Sequence, residues 1–238
     1  MWLVLGAIAL GGLGVWVPHF IAMLGFSVSG VTIRYDVPEI ALTAVADIVV
    51  VWAGLFVIEL GKRKLPAVLI GGALTGSGLA TVHYMGMEAA KMSAQTVYAP
   101  SYISASVAMA VVAATLMLWC TVRVRGALAT IIASLATGLL IAAKHYAGMI
   151  GLTIIDPVNV IPPGISGMQL LVPVVMTVSV VCFLLILAIG LWPTEDELQA
   201  QAEFENRLQA ERNKRPNGAT PQGSSPTYRT LLENSHER

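Results

Sequence analysis

Three of the chain's four histidines recur in one short phrase. The copies are His19-Phe20-Ile21-Ala22-Met23, His83-Tyr84-Met85-Gly86-Met87 and His145-Tyr146-Ala147-Gly148-Met149, spaced by 64 and 62 residues. The pattern is His, aromatic, any residue, small residue, Met. Helical residues four apart share a face, with Cβ atoms about 5–6 Å apart. Each phrase therefore points an imidazole and a thioether the same way, and three such helices could gather three of each. Imidazole suits copper, zinc and iron, whereas thioether is soft and favours Cu(I). A mixed shell of His19, His83, His145, Met23, Met87 and Met149 argues for copper over zinc. Haem competes, because His/Met axial ligation is also a haem pattern. Methionine also fills gaps in cores, so the three thioethers are weaker candidates than the imidazoles. The small residue (Ala22, Gly86, Gly148) lets a neighbouring helix or ligand approach. Phe20, Tyr84 and Tyr146 read as interfacial anchors rather than catalytic groups.

A bilayer must position these phrases. Of 238 residues, 56% are hydrophobic and only 12% charged, about half the usual charged fraction of about 25%. Several apolar runs reach the ~20 residues that cross a bilayer core. The expected fold is all-α, a polytopic transmembrane bundle with spans at 2–25, 39–60, 66–89, 102–122, 127–150 and 169–192. The short loops Gly61-Lys62-Arg63-Lys64 and Arg123-Val124-Arg125-Gly126 are basic and belong in the cytoplasm by the positive-inside rule. The other loops hold only Arg34 and Lys91 as cations. Both termini are then cytoplasmic, and all three histidine phrases fall at the outer ends of the first, third and fifth spans. Lys and Arg alone fix that orientation, so the agreement of the phrases is independent. The first run has no basic stretch before it and reads as a membrane helix rather than a cleaved signal.

The repeat unit is a helix, a basic inner loop and a phrase-bearing helix. The first span has no partner helix before it, and the sixth closes the bundle. Gly72 and Gly76 have the small-xxx-small spacing of close helix contacts, within the bundle or at a dimer face. The transmembrane domain is expected over 1–192. A cytoplasmic helical extension over 193–215 follows, its start marked by the capping box Thr194-x-x-Glu197 and its sparse apolar positions those of a solvated helix. Residues 216–238 are rich in Pro, Gly, Ser, Asn and Thr, a disordered composition. Cys120 and Cys182 read as small buried side chains rather than a disulfide.

Two membrane charges need partners, since intramembrane ionisable groups are costly. Asp47 lies well inside the second span and Lys144 directly precedes His145. They are expected to pair with each other, or Asp47 to orient a histidine from behind as a hydrogen-bond acceptor. Lys144 could instead snorkel outward. Glu88 and Lys91 read as solvated.

The three phrases, with HFIAMLGFSVSG-x-x-IRYDVP after the first, resemble the MHYT domain, a bacterial integral-membrane sensor module, here of actinobacterial type. The resemblance covers residues 1 to about 190. It implies outer-face His, Met and aromatic residues that bind copper and thereby sense oxygen, carbon monoxide or nitric oxide. His19, His83 and His145 match the family's histidines, and Met23, Met87 and Met149 its trailing methionines. The methionine before each family histidine is replaced by Pro18, Val82 and Lys144, and the last of these sets a cation beside the site. Relative to the family pattern, a first helix and a fused output domain are absent, so a separate output protein is expected to take the signal. The expected function is a plasma-membrane sensor responding to a diatomic gas or a redox signal. The alternatives are a membrane metalloenzyme, a metal-handling transporter or a metal-free scaffold. Transport fits less well, since carriers show broken helices and polar groups at the midplane. No nucleotide loop or nucleophile–base pair stands out, so the chain reads as non-enzymatic, and no basic domain suggests nucleic acid.

Overall fold

The computed structural model describes residues 2–155, 160–191 and 195–214. Six helices among them are long and apolar enough to span a membrane. They are α1 (Trp2–Leu24), α2 (Val37–Leu60), α3 (Leu65–Ala89), α4 (Pro100–Arg123), α5 (Ala127–Ile150) and α6 (Gly167–Gly190). All six coincide with the expected spans to within about two residues at most ends. The helices begin where the sequence places caps and prolines. At α2 the Asp36 side chain accepts a hydrogen bond from the Glu39 amide at 3.1 Å, and Pro38 sits in the first turn, where no intrahelical N–H is needed. Pro66 and Pro100 serve α3 and α4 in the same way. At the far end of α2, Lys62 and Arg63 take left-handed backbone angles (φ 52° and 57°), which reverses the chain in four residues. Leu139 and Ile186 are 72% and 71% exposed, as residues facing hydrocarbon would be.

The segments at the histidine end are not plain loops. Strands β1 (Ile33–Tyr35) and β2 (Ala90–Met92) pair antiparallel, as do β3 (Gln95–Tyr98) and β4 (Leu152–Ile155). Each pair ties the strand before a bridging helix to the strand after the next phrase-bearing helix, clamping α2 to α3 and α4 to α5. Lys91 on β2 donates to Glu39 at the start of α2 at 2.6 Å. The expected solvated lysine is therefore part of that clamp.

Two apolar clusters hold the bundle. One joins α1 to α4 around Val51, Val68 and Leu118. The other sits at the histidine end around Trp16, Phe20, Met23, Tyr35 and Met87. The middle of α1, Ile8–Trp16, is π-helical; there Gly11 lets α1 approach α2 so closely that a Cβ would lie 2.8 Å from the Asp47 carbonyl oxygen. Trp16 then donates its indole N–H to Thr43 on α2 at 3.0 Å. Gly72 and Gly76 pack α3 onto Thr115 and Val111 of α4, so their spacing serves the bundle itself. Cys120 and Cys182 are free thiols.

The described residues from Ala188 onward fall in a second unit. Its described helix, α7 (Glu195–Lys214), exposes Phe204 and Leu208, as expected of a solvated helix. The anticipated cap at Thr194 and the stretch 216–238 lie outside the described residues.

Candidate metal centre

The three phrase-bearing helices converge. His19 from α1, His83 from α3 and His145 from α5 are all buried, at 9%, 1% and 3% exposure. One ring nitrogen from each lies within 4.8 Å of the others. Ring centroids stand 4.8 Å (His19–His83), 4.9 Å (His19–His145) and 5.2 Å (His83–His145) apart. His83 Nδ1 and His19 Nε2 share a hydrogen bond of 2.8 Å. His83 Nε2 and His145 Nδ1 are buried with no hydrogen-bond partner. An unmet buried polar atom costs about 1–3 kcal/mol, so two in one small volume are costly until a water or a ligand meets them.

The glycines of the phrase acquire a specific role. A Cβ on Gly86 would stand 3.3 Å from His19 Cε1 and 3.4 Å from Met23 Sδ. A Cβ on Gly148 would stand 2.7 Å from His83 Nε2. Each glycine thus makes room for the imidazole of the preceding copy. The corresponding residue of the first copy, Ala22, lines an open cavity instead, which explains why that copy alone tolerates a methyl group.

The methionines divide. Met23 and Met87 are buried, and Met149 packs partly buried against the same cluster of Trp16, Phe20 and Tyr35. Met23 and His19 meet at Gly86, which puts one thioether beside the imidazoles. The aromatics divide too. Tyr146 is 60% exposed and suits an interfacial anchor. Phe20 does not: it is 1% exposed and stacks on Trp16 at 5.1 Å, because its helix face turns inward. Tyr84 sets its ring against His83 at 4.9 Å and Tyr98 at 5.4 Å.

Asp47 and Lys144 are both inside the bundle, 2% and 6% exposed. Neither expected contact of Asp47 is made. It forms no ion pair with Lys144 within 4 Å and no hydrogen bond to a histidine, and its Oδ1 lacks a partner. Lys144 does not snorkel, since its Nζ donates to the Leu79 carbonyl at 3.3 Å. The two charges instead face a shared cavity of about 440 Å³, along with His19 and His145. Sequence reasoning passed over Ser106. It is fully buried, donates to the Lys144 carbonyl at 3.3 Å, and stands 3.3 Å from where a Gly148 Cβ would be. One serine among several on an apolar helix carries no periodic signal that would have singled it out.

At the rim, burial, then the neighbouring Tyr84 and Glu88, push the Tyr98 phenol up to about 12. Its unfolded value is about 10. The folded protein therefore keeps a proton that the unfolded chain releases, and stability falls as pH rises through that window. Tyrosinate absorbance is expected to show a phenol titrating near 12 that Tyr98→Phe removes, beside the Tyr35 phenol that burial also raises.

A multi-pass helical bundle with three imidazoles gathered at one end defines the class of this protein. The sequence profile of the MHYT family, described as a bacterial signalling protein N-terminal repeat, matches residues 12–72 and 76–134. The chain belongs to this family. It is 35% identical over 156 residues to the bifunctional diguanylate cyclase/cyclic di-GMP phosphodiesterase MucR of Pseudomonas aeruginosa, covering 62% of this chain and 22% of that one. It is 32% identical over 163 residues to the cyclic di-GMP phosphodiesterase NbdA of the same organism, covering 66% and 21%. An uncharacterized signaling protein of Caulobacter vibrioides is 29% identical over 162 residues, covering 68% and 20%. The chain spans about a fifth of the length of these curated relatives. No solved structure matches.

Proposed function

We propose that this membrane signalling module holds a copper ion between His19, His83 and His145 and responds to a diatomic gas (oxygen, carbon monoxide or nitric oxide) or to redox state. The convergence of three buried imidazoles with two orphaned ring nitrogens carries this reading. Ligand bonds of about 2.0–2.1 Å allow nitrogen separations up to about 4 Å, so a spread of 4.8 Å closes around an ion with small ring rotations. Rings in near contact suit one ion better than a porphyrin, which disfavours haem. Met23, beside His19, offers the soft sulfur that favours copper over zinc. Copper held here supplies a redox-active centre with affinity for diatomic ligands. The protein's own part is to fix three ring orientations through Gly86, Gly148 and Ser106, to exclude bulk water, and to balance charge with Asp47 and Lys144.

In the orientation set by the basic loops, the centre lies near the outer face of the plasma membrane and both termini are cytoplasmic. The helix Glu195–Lys214 is then the segment that an output protein would engage. The relatives named for cyclic di-GMP turnover make such a signalling enzyme the natural class of output.

The test is metal content and optical spectrum of the detergent-purified protein, for wild type and His83→Ala/His145→Ala. About one copper per chain is expected in the wild type and less than a tenth of that in the double variant, with helicity preserved. A metal-free wild type that cannot be loaded would overturn the reading, and a Soret band would replace copper with haem.

A further inference from the structure

The repeat reaches further than the histidine phrases. A step of 62 residues carries α3 onto α5, aligning Thr75 with Thr137, Gly76 with Gly138 and His83 with His145. The same step, without a gap, carries Pro100-Ser101-Tyr102-Ile103-Ser104 onto Pro162-Pro163-Gly164-Ile165-Ser166. By this register α6 is the counterpart of α4. The second matched family repeat begins at residue 76 and runs through α4; the same step from 76 begins a third unit at 138 that runs through α6.

The register predicts an interface that is not made. On α3, Gly72 and Gly76 receive Thr115 and Val111 of α4. Their counterparts on α5, Ser134 and Gly138, are exposed, and a Cβ on Gly138 would meet nothing within 4 Å. Gly138 lines both a cavity of about 440 Å³ and one of about 370 Å³ in the groove between α1 and α5, and Ser134 lines the second, which α4 also walls through Met117 and Cys120. The counterparts of Val111 and Thr115 on α6 are Pro173 and Thr177, which are also exposed. The local chemistry matches as well. Thr115 turns its hydroxyl onto the Val111 carbonyl at 2.7 Å, and Thr177 turns its own onto the Pro173 carbonyl at 2.8 Å. Each helix thereby spends its polar group on its own backbone and offers an apolar ridge. Both halves of a close-packed helix contact are present, and both are unpartnered.

The chain's own α6 is held elsewhere. Ile165 and Tyr35 exchange backbone hydrogen bonds of 2.8 and 3.0 Å, and Leu170 and Leu185 are buried at 3% and 8% exposure. With those contacts intact, α6 leaves its Pro173–Thr177 face free. We propose that the groove between α1 and α5 receives α6 of a second copy of this chain, seating Pro173 and Thr177 on Gly138 and Ser134. The contact continues, between copies, the interface already built between α3 and α4. Small residues let membrane helices approach closely, and exchange of an equivalent element is a low-cost route to dimers. The proposal does not depend on metal at the histidines.

The test is cross-linking of the full chain in lipid nanodiscs, in a Cys120→Ala/Cys182→Ala background. Chains carrying only Ser134→Cys are mixed with differently tagged chains carrying only Thr177→Cys, so that any disulfide joins two copies. A covalent dimer is expected, at least tenfold reduced by Gly138→Leu with helicity unchanged, alongside a dimeric mass without cross-linking. A monomeric mass overturns the proposal. So does a dimer that is indifferent to Gly138→Leu, or one without the 134–177 cross-link. A disulfide forming only within a single chain that carries both cysteines would mean that α6 closes its own groove, and would overturn it equally.

Discussion

Gly148→Ala is expected to lower copper affinity at least tenfold while leaving the helical content of the protein intact. The added Cβ would stand 2.7 Å from His83 Nε2 and 3.3 Å from Ser106 Oγ. Neither neighbour can retreat freely. His83 is held through its other nitrogen by His19 at 2.8 Å, and Ser106 is tied to the Lys144 carbonyl. Relief must come from rotating the His83 ring or shifting α5, and overpacking of this kind costs about 1–3 kcal/mol. Either movement takes a nitrogen away from the common point, where a disturbed ligand orientation typically loses 10–100-fold in affinity. Competition with a copper chelator measures the affinity, and circular dichroism reports the fold. Unchanged affinity in a folded variant would mean that His83 is not a ligand. Ala22 is the internal control, because the first copy already carries this methyl group at the one position that faces the cavity instead of an imidazole.

The legible part of this protein was what repeats. Runs of apolar residues gave the six spans, and the recurrence of histidine at matched helix ends anticipated its gathering in space. Both signals are one-dimensional, since they depend on spacing along a helix. The rest depended on which helix faces which. The burial of Phe20 and the exposure of Tyr146 could not be separated, because each follows its histidine by one residue, and only the packing of α1 and α5 distinguishes them. The glycines were read as permitting approach, yet their partners, His19 and His83, belong to other copies of the phrase. The short strands were missed because sequences such as Gln95–Tyr98 are too brief to show alternation. The separation of Asp47 from Lys144 is likewise a matter of helix rotation. Two opposite charges in one bilayer imply a direct ion pair, but the two side chains line one cavity without coming within 4 Å of each other.

That arrangement has an energetic consequence. Removing one member of a buried charge pair leaves the other uncompensated, which is more costly than removing both. Asp47→Asn is therefore expected to destabilise the protein, because Lys144 retains only the Leu79 carbonyl at 3.3 Å. Lys144→Met is expected to destabilise it as well, by leaving the Asp47 carboxylate alone in an apolar bundle. The double variant Asp47→Asn/Lys144→Met should be more stable than the sum of the two losses predicts, with a coupling of about 1–3 kcal/mol. The sign of the coupling matters more than its size. Thermal or denaturant unfolding of the four proteins in one detergent, without added metal, completes the cycle. Additive losses would mean that the two groups do not sense each other across the cavity. A positive coupling, joined to weaker copper binding in Asp47→Asn than in the double variant, would assign the pair its role at the site. Asp47 would then hold the charge of Lys144 in check, so that the imidazole cluster that includes the adjoining His145 can accept a cation.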